Sequence, residues 1–183
     1  MKKYSIIYAD PAWPDQGRGP GRFDTKVYAD GAKNSRPIQY PCMSMDEIIN
    51  LPVKNIADKN AHLYLWVPNR YIENVYTVAR AWGFKPVVLL TWCKTPMGIG
   101  LGGTYIQTTE HLLFARRGIL KATHRVPTTW FHGKRGGHSV KPALFRDMIV
   151  EISGDLPRIE LFARQKTEGW DVWGNEVKSD IKL

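Results

Sequence analysis

At Asp10-Pro11-Ala12-Trp13, a carboxylate, a proline and an aromatic ring follow directly on an apolar run that reads as a buried strand. A carboxylate at the carboxyl end of a strand in an α/β sheet lies on the edge where such sheets bind ligands, and proline fixes the backbone that follows it. An ordinary strand-ending turn carries the same Asp-Pro pair, so the chemistry has to discriminate. The exocyclic amino group of adenine is a poor nucleophile because its lone pair is delocalised into the ring. A carboxylate and a neighbouring backbone carbonyl that both accept its hydrogen bonds favour a pyramidal nitrogen with a localised lone pair. An aromatic side chain can stack on the extruded base. Attack on an activated methyl group then needs mainly positioning. The scheme calls for no metal, no nucleophilic cysteine and no Ser-His-Asp set.

Two further segments have chemical potential. Residues 98–103 spell G-x-G-x-x-G. The dinucleotide fingerprint joins a strand directly to a helix and is followed about 20 residues later by an acid. Here Lys94-Thr95-Pro96 intervenes, residues 104–109 favour a strand, and residues 116–146 hold no Asp or Glu, so the segment reads as a glycine loop. That acid-free window carries eight lysines and arginines, nearly the whole formal charge of +9, and three of the five histidines. Its stretch 125–138 interleaves base, aromatic and glycine. Cations neutralise phosphates, aromatics stack on bases, and glycine lets backbone approach a polyanion. Trp130, Lys134 and Arg135 are the nucleic-acid contacts this predicts, against the plainer reading of a solvated basic loop.

The elements that position these groups alternate between strand and helix. Strands are expected at residues 4–9, 61–67, 86–92, 110–115 and 158–163. Residues 14–41, rich in Gly, Pro, Asp and Arg, read as a long functional or disordered loop. Ser44-Met45-Asp46-Glu47 is a capping box that starts a helix running to Leu51. A second helix spans 71–82, closed by Gly83, and a third spans 142–153, with Pro142 in its first turn and Gly154 past its end. This pattern predicts one α/β domain over residues 1–183 with a mainly parallel sheet.

The chain has 183 residues, 43% hydrophobic and 11% aromatic, enough for a proper core. Cys42 and Cys93 are too few for a disulfide framework or a closed Cys-rich zinc site, and fit a reducing compartment. No apolar run approaches the roughly 18 residues that span a bilayer. The first ten residues meet a carboxylate after a very short apolar stretch, unlike a secretory signal. The expected location is cytoplasmic, in a prokaryotic or phage-infected cell, with no membrane partner.

With these residues in view, the chain resembles the mRNA adenosine-methyltransferase seventy-kilodalton-subunit family, especially its small bacterial and phage members. These are S-adenosylmethionine-dependent enzymes acting on adenine-N(6). The signature is Asp10-Pro11-Ala12-Trp13. Shorter matches follow in order at Leu65-Trp66-Val67, Ala81-Trp82-Gly83-Phe84, Thr91-Trp92-Cys93-Lys94-Thr95, Glu110-His111, His138 to Pro142, Ile159 to Arg164, and Trp173-Gly174-Asn175-Glu176. The resemblance implies a Rossmann-like methyltransferase fold with circularly permuted motif order, the catalytic motif preceding the cofactor-binding strand. It places Asp10 on the target amino group and beside the cofactor's amino group, Pro11 with its carbonyl toward the base, and Trp13 stacked near it. Lys141 meets the cofactor carboxylate, and Arg164 and Asn175 meet the ribose hydroxyls. Glu160 and Phe162 shape that pocket, and Thr167 and Glu176 fall on the cofactor side. Trp92, Lys94 and Glu110 line the acceptor side, although Trp92 and Phe162 also suit a core. Two departures stand out: Ala12 replaces the second proline, and Lys166-Thr167 replaces a His-Asn pair near the cofactor adenine. DNA is the expected acceptor, because small free-standing members are usually assigned to it and no RNA-binding module is recognised here. RNA methylation and a catalytically silent nucleic-acid-binding subunit are the alternatives, the latter disfavoured by the intact Asp10. A homodimer is compatible with all three.

Overall fold

The computed structural model describes residues 2–14, 42–95, 105–134 and 141–183. Most of the expected long loop, the glycine segment 98–103, Arg135 and His138 lie outside the described residues. The helices are α1 (Met45–Asn50), α2 (Ile72–Ala81) and α3 (Leu144–Ser153). The strands are β1 (Tyr4–Ala9), β2 (Ala57–Val67), β3 (Lys85–Thr95), β4 (Thr109–Arg117), β5 (Trp130–Lys134), β6 (Arg158–Leu161) and β7 (Asp171–Trp173). They form a sheet in the order β5-β3-β4-β2-β1-β6-β7. β4 runs antiparallel to both its neighbours, and every other pairing is parallel. The carboxyl ends of β1, β2, β3, β5, β6 and β7 therefore share one edge, joined there by the start of β4.

Residue alternation fills both faces of this sheet. Ile7, Leu63, Leu65, Leu113 and Ala115 turn to the side closed by α1 and α2, where Ile48, Val75, Val78 and Trp82 meet them. Ile6, Tyr8, Tyr64, Trp66, Trp92 and Leu112 turn to the side closed by α3 through Phe145 and Ile149. Burial on both faces explains why the inner strands read as continuous apolar runs. Each fully buried aliphatic or aromatic side chain contributes roughly 1.5–3 kcal/mol. The capping box is present in full: Ser44 Oγ accepts from Glu47 N at 3.2 Å, and Glu47 Oε2 accepts from Ser44 N at 2.7 Å. Trp82 Nε1 donates to the Ile48 carbonyl at 2.9 Å, locking α2 onto α1. Among the described residues, no helix is long and apolar enough to cross a membrane.

Three details differ from the sequence reading. β5 and β7 were not anticipated. The strand expected to reach Ala163 ends at Leu161, because Phe162 takes a positive φ of 63° and turns the chain. The chain returns so tightly that Gly174 lies against the backbone of Ala163, where a Cβ would collide with the Ala163 carbonyl. β2 begins at Ala57, four residues earlier than its apolar run, since Asp58, Lys59 and Asn60 extend it toward solvent.

Candidate active site

Asp10 is held where β1 meets β6: its backbone N–H donates to the Leu161 carbonyl at 3.4 Å. Its carboxylate Oδ2 accepts from Lys141 Nζ at 2.7 Å, and Lys141 enters from just before α3. The ammonium also lies 3.3 Å from Glu110 Oε2 on β4, and Glu110 Oε1 accepts from Lys94 Nζ on β3 at 2.6 Å. Asp10, Lys141, Glu110 and Lys94 thus form an alternating chain of charge across the ends of three strands. The aromatic floor is Trp66 and Trp92, each 5.3 Å by ring centroid from a lysine ammonium, Lys141 and Lys94 respectively. Trp66 Nε1 donates to Tyr8 Oη at 2.6 Å, so the floor is itself hydrogen-bonded.

Burial raises the Asp10 carboxyl above the ordinary aspartate value, and the neighbouring Lys141 charge only partly opposes this. Burial would also raise Glu110, but Lys141 and Lys94 outweigh it and hold that carboxyl below the ordinary glutamate value. Burial works to lower Lys141, yet the two carboxylates more than offset it and keep the ammonium charged. Burial pushes the Tyr8 phenol far up, so it stays neutral.

Beside Asp10 a cleft of about 70 Å³ is lined by Lys141, Arg146, Glu160, Phe162 and Arg164 among others. A larger groove of about 530 Å³, lined by Thr167 and Trp170 among others, shares Arg146 and Gln165 with it. Glu160 is buried and bound through both oxygens by Arg146, at 2.7 Å each. Arg164 pairs with Glu176 at 3.4 Å. The Phe162 ring packs edge-on against Trp173 at 5.3 Å. Asn175 is exposed next to these residues in the chain. The predicted cofactor residues Asp10, Lys141, Glu160, Phe162 and Arg164 therefore line one cleft, while Thr167 lines the adjoining groove.

The acceptor-side expectations divide. Lys94 and Glu110 belong to the charged chain. Trp92 is 3% exposed, with Nε1 donating to the Gly133 carbonyl at 2.9 Å, and lies beneath Lys94, packed as the core reading of its position has it. Trp13 is likewise seated in the core. The residue is 8% exposed, its ring stacked on Tyr71 at 5.5 Å and its Nε1 donating to the Trp66 carbonyl at 3.0 Å, so it anchors the turn. The Pro11 carbonyl accepts from Trp13 N at 2.8 Å, leaving one lone pair free. Ala12 O accepts from Met43 N at 2.8 Å, a tie that stiffens the turn where the second proline is missing. Trp130 and Lys134 are exposed on the outer side of β5, with His132 between them edge-on to Trp130. The basic window is not one patch, because Lys141 and Arg146 point inward to carboxylates. Arg146 escaped the sequence reading altogether: counted with the surface cations, its partner 14 residues away gave no local signal.

A largely parallel sheet interrupted by a single antiparallel strand, with Asp-Pro-Ala-Trp at the end of one central strand and Glu160, Phe162 and Arg164 on and after its neighbour β6, defines a Rossmann-like methyltransferase of permuted motif order. The chain belongs to the MT-A70 family, whose model matches residues 4–176. It is similar to the type II methyltransferase M.MunI of a Mycoplasma species, 32% identical over 96% of this chain and 78% of that protein. It is 28% identical to the N6-methyladenosine RNA methyltransferase MTA1 of Cryphonectria parasitica, over 95% of this chain and 52% of that protein. It is also 28% identical to the human N(6)-adenine-specific methyltransferase METTL4, over 96% of this chain and 38% of that protein.

Proposed function

We propose that this chain transfers the methyl group of S-adenosylmethionine to the exocyclic amino group of adenine in DNA. The observation that carries the reading is the Asp10–Lys141 ion pair at the carboxyl end of β1, opening onto the cleft that holds Glu160, Phe162 and Arg164. The donor set suits the cofactor. Lys141 has three N–H bonds, of which Asp10 and Glu110 engage two, leaving the third for a carboxylate. Glu160 is an acceptor for hydroxyl or amino groups, and Phe162 gives an apolar wall. Bound there, S-adenosylmethionine supplies an electrophilic methyl group on a sulfonium.

Asp10 and the Pro11 carbonyl accept the two N–H bonds of the target amine and turn its lone pair toward the methyl carbon. As the carbon–nitrogen bond formed and the methyl–sulfur bond broke, releasing the neutral thioether S-adenosylhomocysteine, the Asp10 carboxylate would stabilise the positive charge on that nitrogen and would be the nearest base for the proton released. The half-buried lysine–carboxylate chain fixes Asp10 in place, so little reorganisation accompanies the reaction. Trp130 and Lys134 are the described residues suited to hold the flanking strand. DNA as acceptor is supported by the similarity to a type II methyltransferase over most of that protein's length.

The test is incubation with methyl-labelled cofactor and matched DNA and RNA, single-stranded and duplex, followed by digestion to nucleosides. Label in N(6)-methyldeoxyadenosine is expected. Label in RNA alone would replace DNA as the acceptor, and no label in either would leave the silent-subunit alternative.

A further inference from the structure

Arg146, one residue after the core anchor Phe145 on α3, makes the most directional polar contact of the cofactor half of the cleft. Its Nε donates to Glu160 Oε2 and its Nη2 to Glu160 Oε1, both at 2.7 Å, a two-pronged match that only a guanidinium supplies. Both side chains are nearly closed off, with 15% exposure for Arg146 and 10% for Glu160. The guanidinium also lies 5.5 Å from the Tyr8 ring centroid. Tyr8 accepts from Trp66, and Trp66 lies under Lys141. Arg146 therefore touches the residue that faces the cleft from β6 and the residue that precedes Asp10 by two positions on β1.

We propose that Arg146 is a positioning residue of the cofactor site, fixing the Glu160 carboxylate as an oriented acceptor in the cleft and tying it, through Tyr8, to the strand that ends in Asp10. The inference rests on the methyl-transfer reading above. Each Glu160 oxygen uses one lone-pair direction for Arg146 and keeps another for a ligand. Without the fork, the carboxylate is free to rotate, and a buried charge loses its partner. A purely architectural ion pair would behave otherwise: its loss would change stability and leave ligand affinity alone.

The experiment measures S-adenosylhomocysteine binding by calorimetry, with thermal melting alongside, for the wild type and for Arg146→Gln, Arg146→Lys, Glu160→Gln and the double variant Arg146→Gln/Glu160→Gln. Arg146→Gln is expected to weaken binding about tenfold or more, and Arg146→Lys, which keeps charge but not the fork, by about threefold. The double variant should bind within about twofold of Glu160→Gln alone, because Arg146 acts through a carboxylate that is no longer there. In turnover assays the KM for S-adenosylmethionine should rise with the same factors, while kcat at saturating cofactor stays within about threefold. Arg146→Gln binding within twofold of wild type would overturn the proposal, as would losses in the two single variants that simply add in the double. If Arg146→Gln fails to fold, the lysine variant and the uncharged double variant carry the comparison. A wild type that does not bind S-adenosylhomocysteine at all would refute the cofactor reading itself, and with it this role.

Discussion

Replacing Asp10 by asparagine separates catalysis from folding more cleanly than any other change at this site. The substitution keeps shape, removes the charge and loses the 2.7 Å hydrogen bond with Lys141 in its ionic form. A hydrogen bond to a charged group contributes about 1.5–3 kcal/mol, less where water screens it, and the Asp10 side chain is 28% exposed. Against that loss stands the desolvation of the carboxylate, which Lys141 only partly offsets, so that the Asp10 pKa stays raised even with its partner in place. An acid whose folded pKa lies above its unfolded value destabilises the fold once pH exceeds the unfolded value, about 3.9, so at neutral pH the carboxylate is held at some expense. The two effects oppose each other. The melting temperature should therefore move by no more than about 4 °C in either direction, the shift that ~1 kcal/mol gives in a domain of this size. Methyl transfer should fall about 10³-fold, equal to ~4 kcal/mol in the barrier, because an amide cannot stabilise the positive charge growing on the amino nitrogen. Turnover with labelled cofactor and differential scanning calorimetry on the same preparation give both numbers. A variant that turns over within tenfold of wild type would refute the catalytic assignment. A collapse of the melting temperature together with activity would show Asp10 to be a structural strand end.

Ala12→Pro should fold and keep activity, with a gain of about 0.4–1 kcal/mol in chemical denaturation if the backbone suits proline; a folded but inactive variant would mean that the turn differs from the family's. Lys134→Ala should weaken DNA binding for all sequences alike and lower the slope of log K against log[salt] by about one, while S-adenosylhomocysteine affinity holds; an unchanged slope would make β5 a merely solvated edge. His62 is buried, with Nδ1 2.9 Å from Ser153 Oγ and Nε2 3.1 Å from the Leu120 carbonyl, and burial lowers its pKa. The folded state thus takes this proton less readily than the unfolded chain, so stability should fall as pH drops below about 6.5, by at most ~1.4 kcal/mol per unit for this group, with His111 adding to the trend. His62→Gln should flatten that dependence in melts between pH 7.5 and 5.5, and an equally steep profile would assign it to other groups.

What the sequence disclosed, and what it hid, follows from the range of the interactions. β1, the capping box of α1 and the glycine stop after α3 are local, written within a few residues, and each was legible. β5 and β7 were not. β7 has three residues and gains its strand geometry from β6, and β5 sits inside a charged segment whose alternation of inward Phe131 and Gly133 with outward Trp130, His132 and Lys134 emerges only once β3 is beside it. The reversal of β4 leaves no trace in its apolar run, because a strand buried on both faces reads the same in either direction. At the site, Asp10 stands out in the sequence by following an apolar run and Lys141 only by resemblance to a family pattern, and neither signal contains their direct pairing across 131 residues. How deeply Trp13 and Trp92 pack, at 8% and 3% exposure, is likewise set by partners far away in the chain, Tyr71 and Gly133, and is not written in their local segments.

The division of the basic window carries the argument one step further. A run of eight cations without an acid looks like a single anion-binding face, and for a surface loop that would follow from electrostatics. The fold instead directs Lys141 to Asp10 and Glu110, and Arg146 to Glu160, carboxylates contributed by β1, β4 and β6. Those two cations neutralise acids at the sheet edge, and an inward charge matched by a carboxylate exerts little pull on a distant phosphate. Among the described residues of the window, Arg116, Lys121, Arg125 and Lys134 remain exposed, and these supply the outward field. One acid-free segment therefore serves two purposes, with β5 and the turn before α3 between them. Under the proposed function, outward cations set how tightly and how salt-dependently a polyanion docks, and inward cations set how firmly Asp10 and Glu160 are held. Variants in the first group should move affinity for nucleic acid, and variants in the second should move affinity for the cofactor.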